Sequence, residues 1–440
     1  MATPLERSRT GCALHGALFS AAAVKGVVPI LHATAGCGFQ AYRLGLAGGG
    51  GGPDPAGGLA AASSNISEKQ VVFGGTARLR EQIKNAVKVV DGALPVVLSG
   101  CATEMVGDDI PAMVRESREQ GEATIAIATA GFRGSAYAGY ELFLKGVVAQ
   151  LGEAGTVRPD GRRGTVNLLG LVPRQDPFWE AELDELARLL DAIGLEANTL
   201  FGLGGGVEGL RDLAAADLSL VLSPWGQGVA RDLEQRFGVP WFDTGGLPVG
   251  ARATAAVLFA VAGRLGLERP TVAAVVDAEV RREAHYLARL ADAYYRDGLQ
   301  RDFALVAGSA YAAGVTGFLT DSLGWLPRLI VITDQPPPDA RTGLDQALDR
   351  AAGGLGPEIL FSEDAAEIAD AVGRRDPEII LGSALEREVA DALKVPLVEV
   401  SFPVTGRLVL DKGLAGPRGA LALIEEVVRA IRADGNNTHA

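Results

Sequence analysis

Three cysteines, Cys12, Cys37 and Cys101, are the residues of this chain best suited to chemistry. Cys12 stands in Gly11-Cys12-Ala13-Leu14-His15-Gly16, ahead of an apolar stretch with helical spacing. Cys37 lies in His32-Ala33-Thr34-Ala35-Gly36-Cys37-Gly38, just past a strand-like run, and Cys101 lies in Ser99-Gly100-Cys101-Ala102-Thr103-Glu104, just past another. Thiolates are soft ligands that suit iron–sulfur clusters or zinc. The separations of 25 and then 64 positions contain no Cys-x-x-Cys pair, which speaks against a zinc knuckle. Three thiols also fall short of the four-cysteine set of a simple cluster. A further ligand would come from a non-cysteine residue or from another chain. The alternative is three inert core thiols, because free cysteine is among the most buried residue types. Spacing alone leaves both readings open.

The elements around these residues decide whether the thiols can meet. Strand-like runs at 27–32, 95–99, 124–129, 166–172, 218–222, 303–307, 329–333, 378–381 and 397–400 alternate with helical patterns at 76–90, 178–193, 227–237 and 365–372. Such alternation indicates βαβ units, and continuous apolarity in the strands indicates parallel sheets covered on both faces. The expected fold class is therefore α/β. In open parallel sheets ligands gather outside the carboxyl ends of strands, so cysteines at two such ends can face one crevice.

The chain has 440 residues, which suggests about three domains. Composition breaks at 152–164 and at the start of a long charged helical pattern, 273–300, divide it into 1–155, 156–272 and 273–440. The Gly-rich segment 48–58 reads as an insertion in the first part, and 335–338 as a surface loop. A net charge of −13 supplies no basic excess for phosphates, so no nucleic-acid partner is expected. No membrane partner is expected either. The longest uncharged run, 303–320, is diluted by Gly308, Ser309, Gly314, Thr316 and Gly317. Arg7 and Arg9 ahead of the apolar run 14–24 imitate a signal peptide, but the run holds His15 and shows no small-residue cleavage site before Lys25. Three cysteines are too few for a disulfide scaffold, so a reducing cytoplasm is the expected compartment. Gly204-Gly205-Gly206-Val207-Glu208-Gly209 satisfies GxGxxG only weakly, with Glu208 placing a negative charge beside any phosphate. No GxxxxGK[ST] occurs, so ATP hydrolysis is expected on a separate protein.

The motifs resemble, in order, the β-type subunit of nitrogenase component 1 and its nitrogenase-like relatives. The resemblance runs through Cys12-Ala-Leu-His-Gly-Ala, Pro29-Ile-Leu-His32 with Gly36-Cys37, Ser63-Ser64 with Glu68, and Val72-Phe73-Gly74-Gly75. It continues through Cys101-Ala-Thr-Glu104 with Gly107-Asp108-Asp109, and Gly131-Phe-Arg-Gly134-Ser135 with Gly139-Tyr140. Looser matches follow at Pro224-Trp225, Gly382-Ser383, Ser401-Phe402-Pro403 with Arg407, and Gly419-Ala420. The resemblance implies three Rossmann-like domains with mainly parallel sheets flanked by helices. It also implies an α-type partner in an α2β2 assembly, and a P-type, [8Fe-7S]-like iron–sulfur cluster shared at the α–β interface. Cys12, Cys37 and Cys101 match the β-side metal ligands. Ser135 matches a serine that in some members reaches the oxidised cluster, beside a plain reading as a turn or cap residue. His15 and His32 are expected to pack or to hydrogen-bond near the ligands, and Glu104, Asp108 and Asp109 to be helix-start carboxylates.

The family's α-type subunit anchors an active-site cluster through a later cysteine and histidine. Here no cysteine follows Cys101, and the only later histidines are His285, expected on the face of the long helix, and His439. The chain thus resembles the electron-relaying β type, served by an ATP-dependent iron–sulfur reductase that docks transiently, with no catalytic residue of its own. His32-Ala33-Thr34 replaces the usual His-Gly opening of that loop, the insertion 48–58 is unusual, and the first cysteine comes almost at the start. These departures point away from dinitrogen. The complete cysteine set points away from assembly scaffolds and tetrapyrrole reductases. A nitrogenase-like reductase such as methylthio-alkane reductase, cleaving carbon–sulfur bonds, is the favoured expectation. A true nitrogenase and a cofactor-assembly scaffold are the alternatives.

Overall fold

The structure is a computed structural model that describes residues 8–46, 61–151, 164–296 and 298–437. The Gly-rich segment 48–58, the break at 152–163 and His439 lie outside the described residues.

Three parallel sheets form the frame. The first contains β1 (Val27–His32), β2 (Ala62–Ser63), β3 (Leu94–Ser99) and β4 (Ile125–Ile127), in the order β2-β1-β3-β4. The second repeats that order with β5 (Thr165–Leu169), β6 (Glu196–Asn198), β7 (Leu218–Val221) and β8 (Trp241–Asp243), arranged β6-β5-β7-β8. The third has β9 (Asp302–Ala307), β10 (Leu326–Ile332), β11 (Glu358–Phe361), β12 (Ile379–Gly382) and β13 (Leu397–Glu399), arranged β11-β10-β9-β12-β13. Every strand pair in all three is parallel. The fold is α/β, as the alternation of patterns requires. In the third sheet the central strands are almost wholly apolar and buried, with Phe303–Ala307 and Leu329–Ile332 sealed from solvent by helices on both faces.

The apolar run that imitates a leader forms the helix Ala13–Ala22, whose residues are nearly all buried. It packs along the helix Ala136–Leu151, and this contact shapes the site described below. One core runs through residues of all three sheets, with two smaller clusters beneath outer helices of the first and third. No helix among the described residues is long and apolar enough to cross a membrane, and the uncharged run 303–320 divides into β9 and the helix Ser309–Leu323.

The long charged pattern at 273–300 is corrected by the structure. It forms two helices, Arg269–Leu287 and Ala291–Arg296. Between them the amides of Arg289 and Leu290 reach back three residues, to the carbonyls of Tyr286 and Leu287, which tightens and ends the first helix.

Candidate metal centre

Each cysteine stands where a helix begins. Cys12 caps Ala13–Ala22, Cys37 lies in the first turn of Ala35–Leu46, and Cys101 opens Cys101–Val106 directly after β3. The chain order of the first sheet reverses between β1 and β3, so Cys37 and Cys101 follow the two strands that flank its switch point.

Gly131, in the turn after β4, joins Cys101 to Cys12. Its amide donates to Cys101 Sγ at 3.1 Å. A Cβ built on Gly131 would stand 3.1 Å from that sulfur and 3.2 Å from Cys12 Sγ, so the two thiols are neighbours across a residue whose side chain would crowd both. Cys37 is tied in through His15. The His15 Nδ1 lies 3.5 Å from Cys12 Sγ and accepts the Cys12 amide at 3.3 Å, while Nε2 lies 3.3 Å from the Cys37 carbonyl. Because the amide can only donate, Nδ1 is the acceptor and Nε2 carries the proton. Burial pushes the His15 pKa down, against the pull of the Cys37 carbonyl, which favours this neutral ring. Thr34 Oγ1 sits 3.5 Å from Cys37 Sγ.

All three thiols are free, with Cys12 and Cys37 half-buried and Cys101 exposed. Cys101 is therefore not a core cysteine, while Cys12 and Cys37 lie at the edge of the main core. Around them the surface is apolar: Phe39 is 63%, Phe132 62%, Met105 78% and Phe73 82% exposed. Phe39 shares a helix with Cys37, Met105 shares one with Cys101, and Phe132 follows Gly131. Phe73 ends the helix Glu68–Phe73, which packs against Cys101–Val106.

Ser135 faces Cys12 across an isolated antiparallel bridge, and its hydroxyl receives the Ala138 amide at 3.5 Å. His32 is fully buried, with Nε2 2.9 Å from Asp108 and Nδ1 3.0 Å from Ser64, so it fastens the end of β1 to two neighbouring segments. Burial pushes its pKa down while Asp108 pulls the other way.

Two of the three expected helix-start carboxylates take that role. Asp109 accepts the Ala112 amide at 3.0 Å at the head of Ile110–Glu119, and Asp108 accepts the Gly75 amide at 2.6 Å at the head of Thr76–Val89. Glu104 does not. It accepts the Ser99 hydroxyl at 2.5 Å, the Ala130 amide at 3.0 Å and Arg133 Nε at 2.8 Å. Burial raises its pKa, but Arg133, Ser99 and Ala130 outweigh burial and hold the carboxyl below its ordinary value. The sequence displays Glu104 and Gly131 in their motifs, yet nothing in it shows that one secures the loop carrying the other.

The remaining candidates lie elsewhere. His285 is exposed on its helix, in an edge contact with Tyr286 at 5.2 Å. In the glycine run the Val207 amide already donates to the Lys25 carbonyl, Glu208 pairs with Arg211 at 2.8 Å, and a Cβ on Gly205 would meet Leu200 and Phe201 backbone at 2.4 Å. This is a packed turn with no cradle for phosphate.

The sheet order defines an α/β chain, and comparison with known proteins shows its family. The family model described as nitrogenase component 1 type oxidoreductase matches residues 12–432, and the chain belongs to that family, as a chain of the β type. It is 24% identical to the nitrogenase molybdenum-iron protein beta chain of Clostridium pasteurianum, over 96% of this chain and 92% of that one. It is 28% identical to a subunit of the light-independent protochlorophyllide reductase of Halorhodospira halophila, over 88% of this chain and 71% of that one. Among solved structures, one titled nitrogenase Cp1 at pH 6.5 shares the fold with a TM-score of 0.80 at 21% identity, covering 98% of this chain and 94% of the other. The chain is thus an oxidoreductase subunit of an iron–sulfur-dependent family.

Proposed function

We propose that this chain relays electrons as the β-type subunit of a two-component nitrogenase-like reductase, holding an interface iron–sulfur cluster of P type through Cys12, Cys37 and Cys101 together with an α-type partner. The observation that carries this reading is the meeting of Cys12 and Cys101 at Gly131, with Cys37 tethered to them by His15, on an exposed apolar surface. Among the described residues no three His, Cys, Asp or Glu side chains come close enough to hold a single ion. Three free thiols, none fully buried and too few to close a site by themselves, suit a group wider than one metal whose other ligands come from outside the chain. A surface of exposed Phe and Met is what a subunit partner covers.

When bound, the cluster supplies one-electron storage. The chain's own part is to hold three thiolates at fixed helix starts, to place a neutral imidazole and a backbone amide against sulfur, and to be sealed from water by its partner. Residues 102–440 contain no cysteine, which supports an active-site cluster on the partner. An ATP-dependent iron–sulfur reductase would supply the electrons and dock only during transfer. The favoured reaction is reductive carbon–sulfur cleavage of small methylthio-alkanes, supported by the departures at His32-Ala33-Thr34 alongside a full set of three cysteines.

The test is iron and acid-labile sulfide analysis of the chain purified anaerobically with its partner, followed by turnover with methylthio compounds and with dinitrogen. Iron well beyond one four-iron cluster per pair, and thiol release from methylthio substrates, are expected. Ammonia as the sole product would replace the substrate assignment. A labile cluster lost to a second protein would make the chain an assembly scaffold.

A further inference from the structure

Cys101 and Glu104 lie one turn apart on the same short helix, and between them they grip one loop. Glu104 Oε1 takes the Ala130 amide at 3.0 Å, immediately before Gly131, and Oε2 takes Arg133 Nε at 2.8 Å and Nη2 at 2.7 Å, two residues after it. Ser99, which donates to the same Oε1, also receives the Thr129 amide on its hydroxyl at 3.0 Å and the Thr129 hydroxyl on its carbonyl at 2.9 Å. The loop is therefore fixed on both sides of Gly131, and what it presents to the site is the Gly131 amide, 3.1 Å from Cys101 Sγ. Glu104 is 13% exposed, and one carboxylate receiving four donors is a stiff joint.

We propose that Glu104 is a positioning residue that sets the Gly131 N–H···S bond to Cys101 and thereby raises the reduction potential of whatever metal group that thiolate holds. An amide donated to a ligating sulfur withdraws charge from it and favours the reduced state, so the length of this one bond tunes the potential. The arrangement also explains why residue 131 is glycine, since a Cβ there would crowd both sulfurs. The inference rests on the cluster reading given above.

The experiment compares wild type, Glu104→Ala, Glu104→Gln and Arg133→Gln in the anaerobically purified complex of the full chain with its partner. Iron content, the midpoint potential from a redox titration and the coupling of exchangeable protons to the paramagnetic cluster are measured. E104A is expected to keep its iron, to shift to a more negative potential and to lose one exchangeable-proton coupling. E104Q retains an acceptor for Ala130 and should recover most of the potential. R133Q frees one side of the loop and should shift the same way by less, which keeps the test open if E104A fails to assemble. An unchanged potential and intact proton coupling in an iron-loaded E104A or R133Q would overturn the proposal. Absence of iron from the wild-type complex would overturn the cluster reading instead.

Discussion

Cys12 and Ser135 pair across an antiparallel bridge that joins the head of the helix Ala13–Ala22 to the head of Ala136–Leu151. The Ala136 amide bonds to the Gly11 carbonyl and the Ala13 amide to the Gly134 carbonyl, both at 2.8 Å, on either side of that pair. The two helices then run so close that a Cβ on Gly16 would stand 1.7 Å from the Ala136 carbonyl oxygen, and one on Gly139 2.1 Å from that of Ala13. The position of the first thiol is thus set by helix packing in the core.

Replacing Gly16 with alanine is therefore expected to cost about 3 kcal/mol, because the obstacle is backbone and can yield only by separating the helices. Gly263, exposed in the helix Gly250–Leu265 with nothing within 4 Å of its added Cβ, provides the contrast. Gly263→Ala should stabilise by about 0.5–1 kcal/mol. Chemical denaturation of both variants checks the pair, and a G16A chain as stable as wild type would show that this contact is not tight.

Cys37→Ala and Cys101→Ala each remove one sulfur atom, from a half-buried residue at the edge of the core in the first case and from an exposed one in the second. Each should fold like wild type and lose most of the iron recovered with the complex, with a weakened heteromer as the consequence. Metal analysis beside a circular dichroism melt separates ligand loss from misfolding. Full iron content in either variant would remove that cysteine from the ligand set.

The pH dependence of stability should have a distinct contribution from Glu182. This carboxyl, fully buried on the helix Trp179–Ala192, accepts the Leu414 amide at 2.8 Å and the Ala415 amide at 2.5 Å. Burial pushes its pKa up to about 8 from an ordinary 4.5, although the two amides pull it down. With the folded value above the unfolded one, the contribution is complete below about pH 4.5 and is lost as pH rises through about 8. The melting temperature is expected to fall across that window, and Glu182→Gln should flatten the slope. An equal slope in wild type and E182Q would place the dependence on other groups.

How much of this was legible in the sequence follows from burial. Central strands such as β1, β3, β7 and β9 announce themselves because both faces are covered and the run is continuously apolar. The strands that escape sequence reading are β2, β6, β8 and β11, and all four are sheet edges. Each has two to four residues, none fully buried, so even the apolar ones, such as Ile359, Leu360 and Phe361 in β11, are too short to stand out as a covered strand. The break after Leu287 escaped for a different reason: Ala288, Arg289 and Leu290 are good helix formers, and the tightened three-residue bonds that end the helix there leave no mark in residue type. At the site the cysteines are evident from type and position. The Glu104 clamp is not, because its partners Ser99, Ala130 and Arg133 come together only once β3 and β4 are paired.

The exposed apolar surface gives the last prediction. Phe73 is 82% exposed and Phe39 63%, on two different helices beside the thiols, and neither contributes to the chain's own core. Burying a Phe side chain contributes about 1.5–3 kcal/mol. If a partner covers this face, Phe73→Ala or Phe39→Ala should each weaken the heteromer by about 10–100-fold while leaving the melting temperature of the isolated chain within about 1 °C. Solubility of the isolated chain should rise as the patch shrinks. The double variant should lose more than either single one, because the two rings sit on separate helices and make separate contacts. Sedimentation or light scattering of the co-expressed pair reads the affinity directly. Unchanged assembly in the double variant would show that this surface is not where the partner binds, and the outward-facing thiols would then need their remaining ligands from some other source.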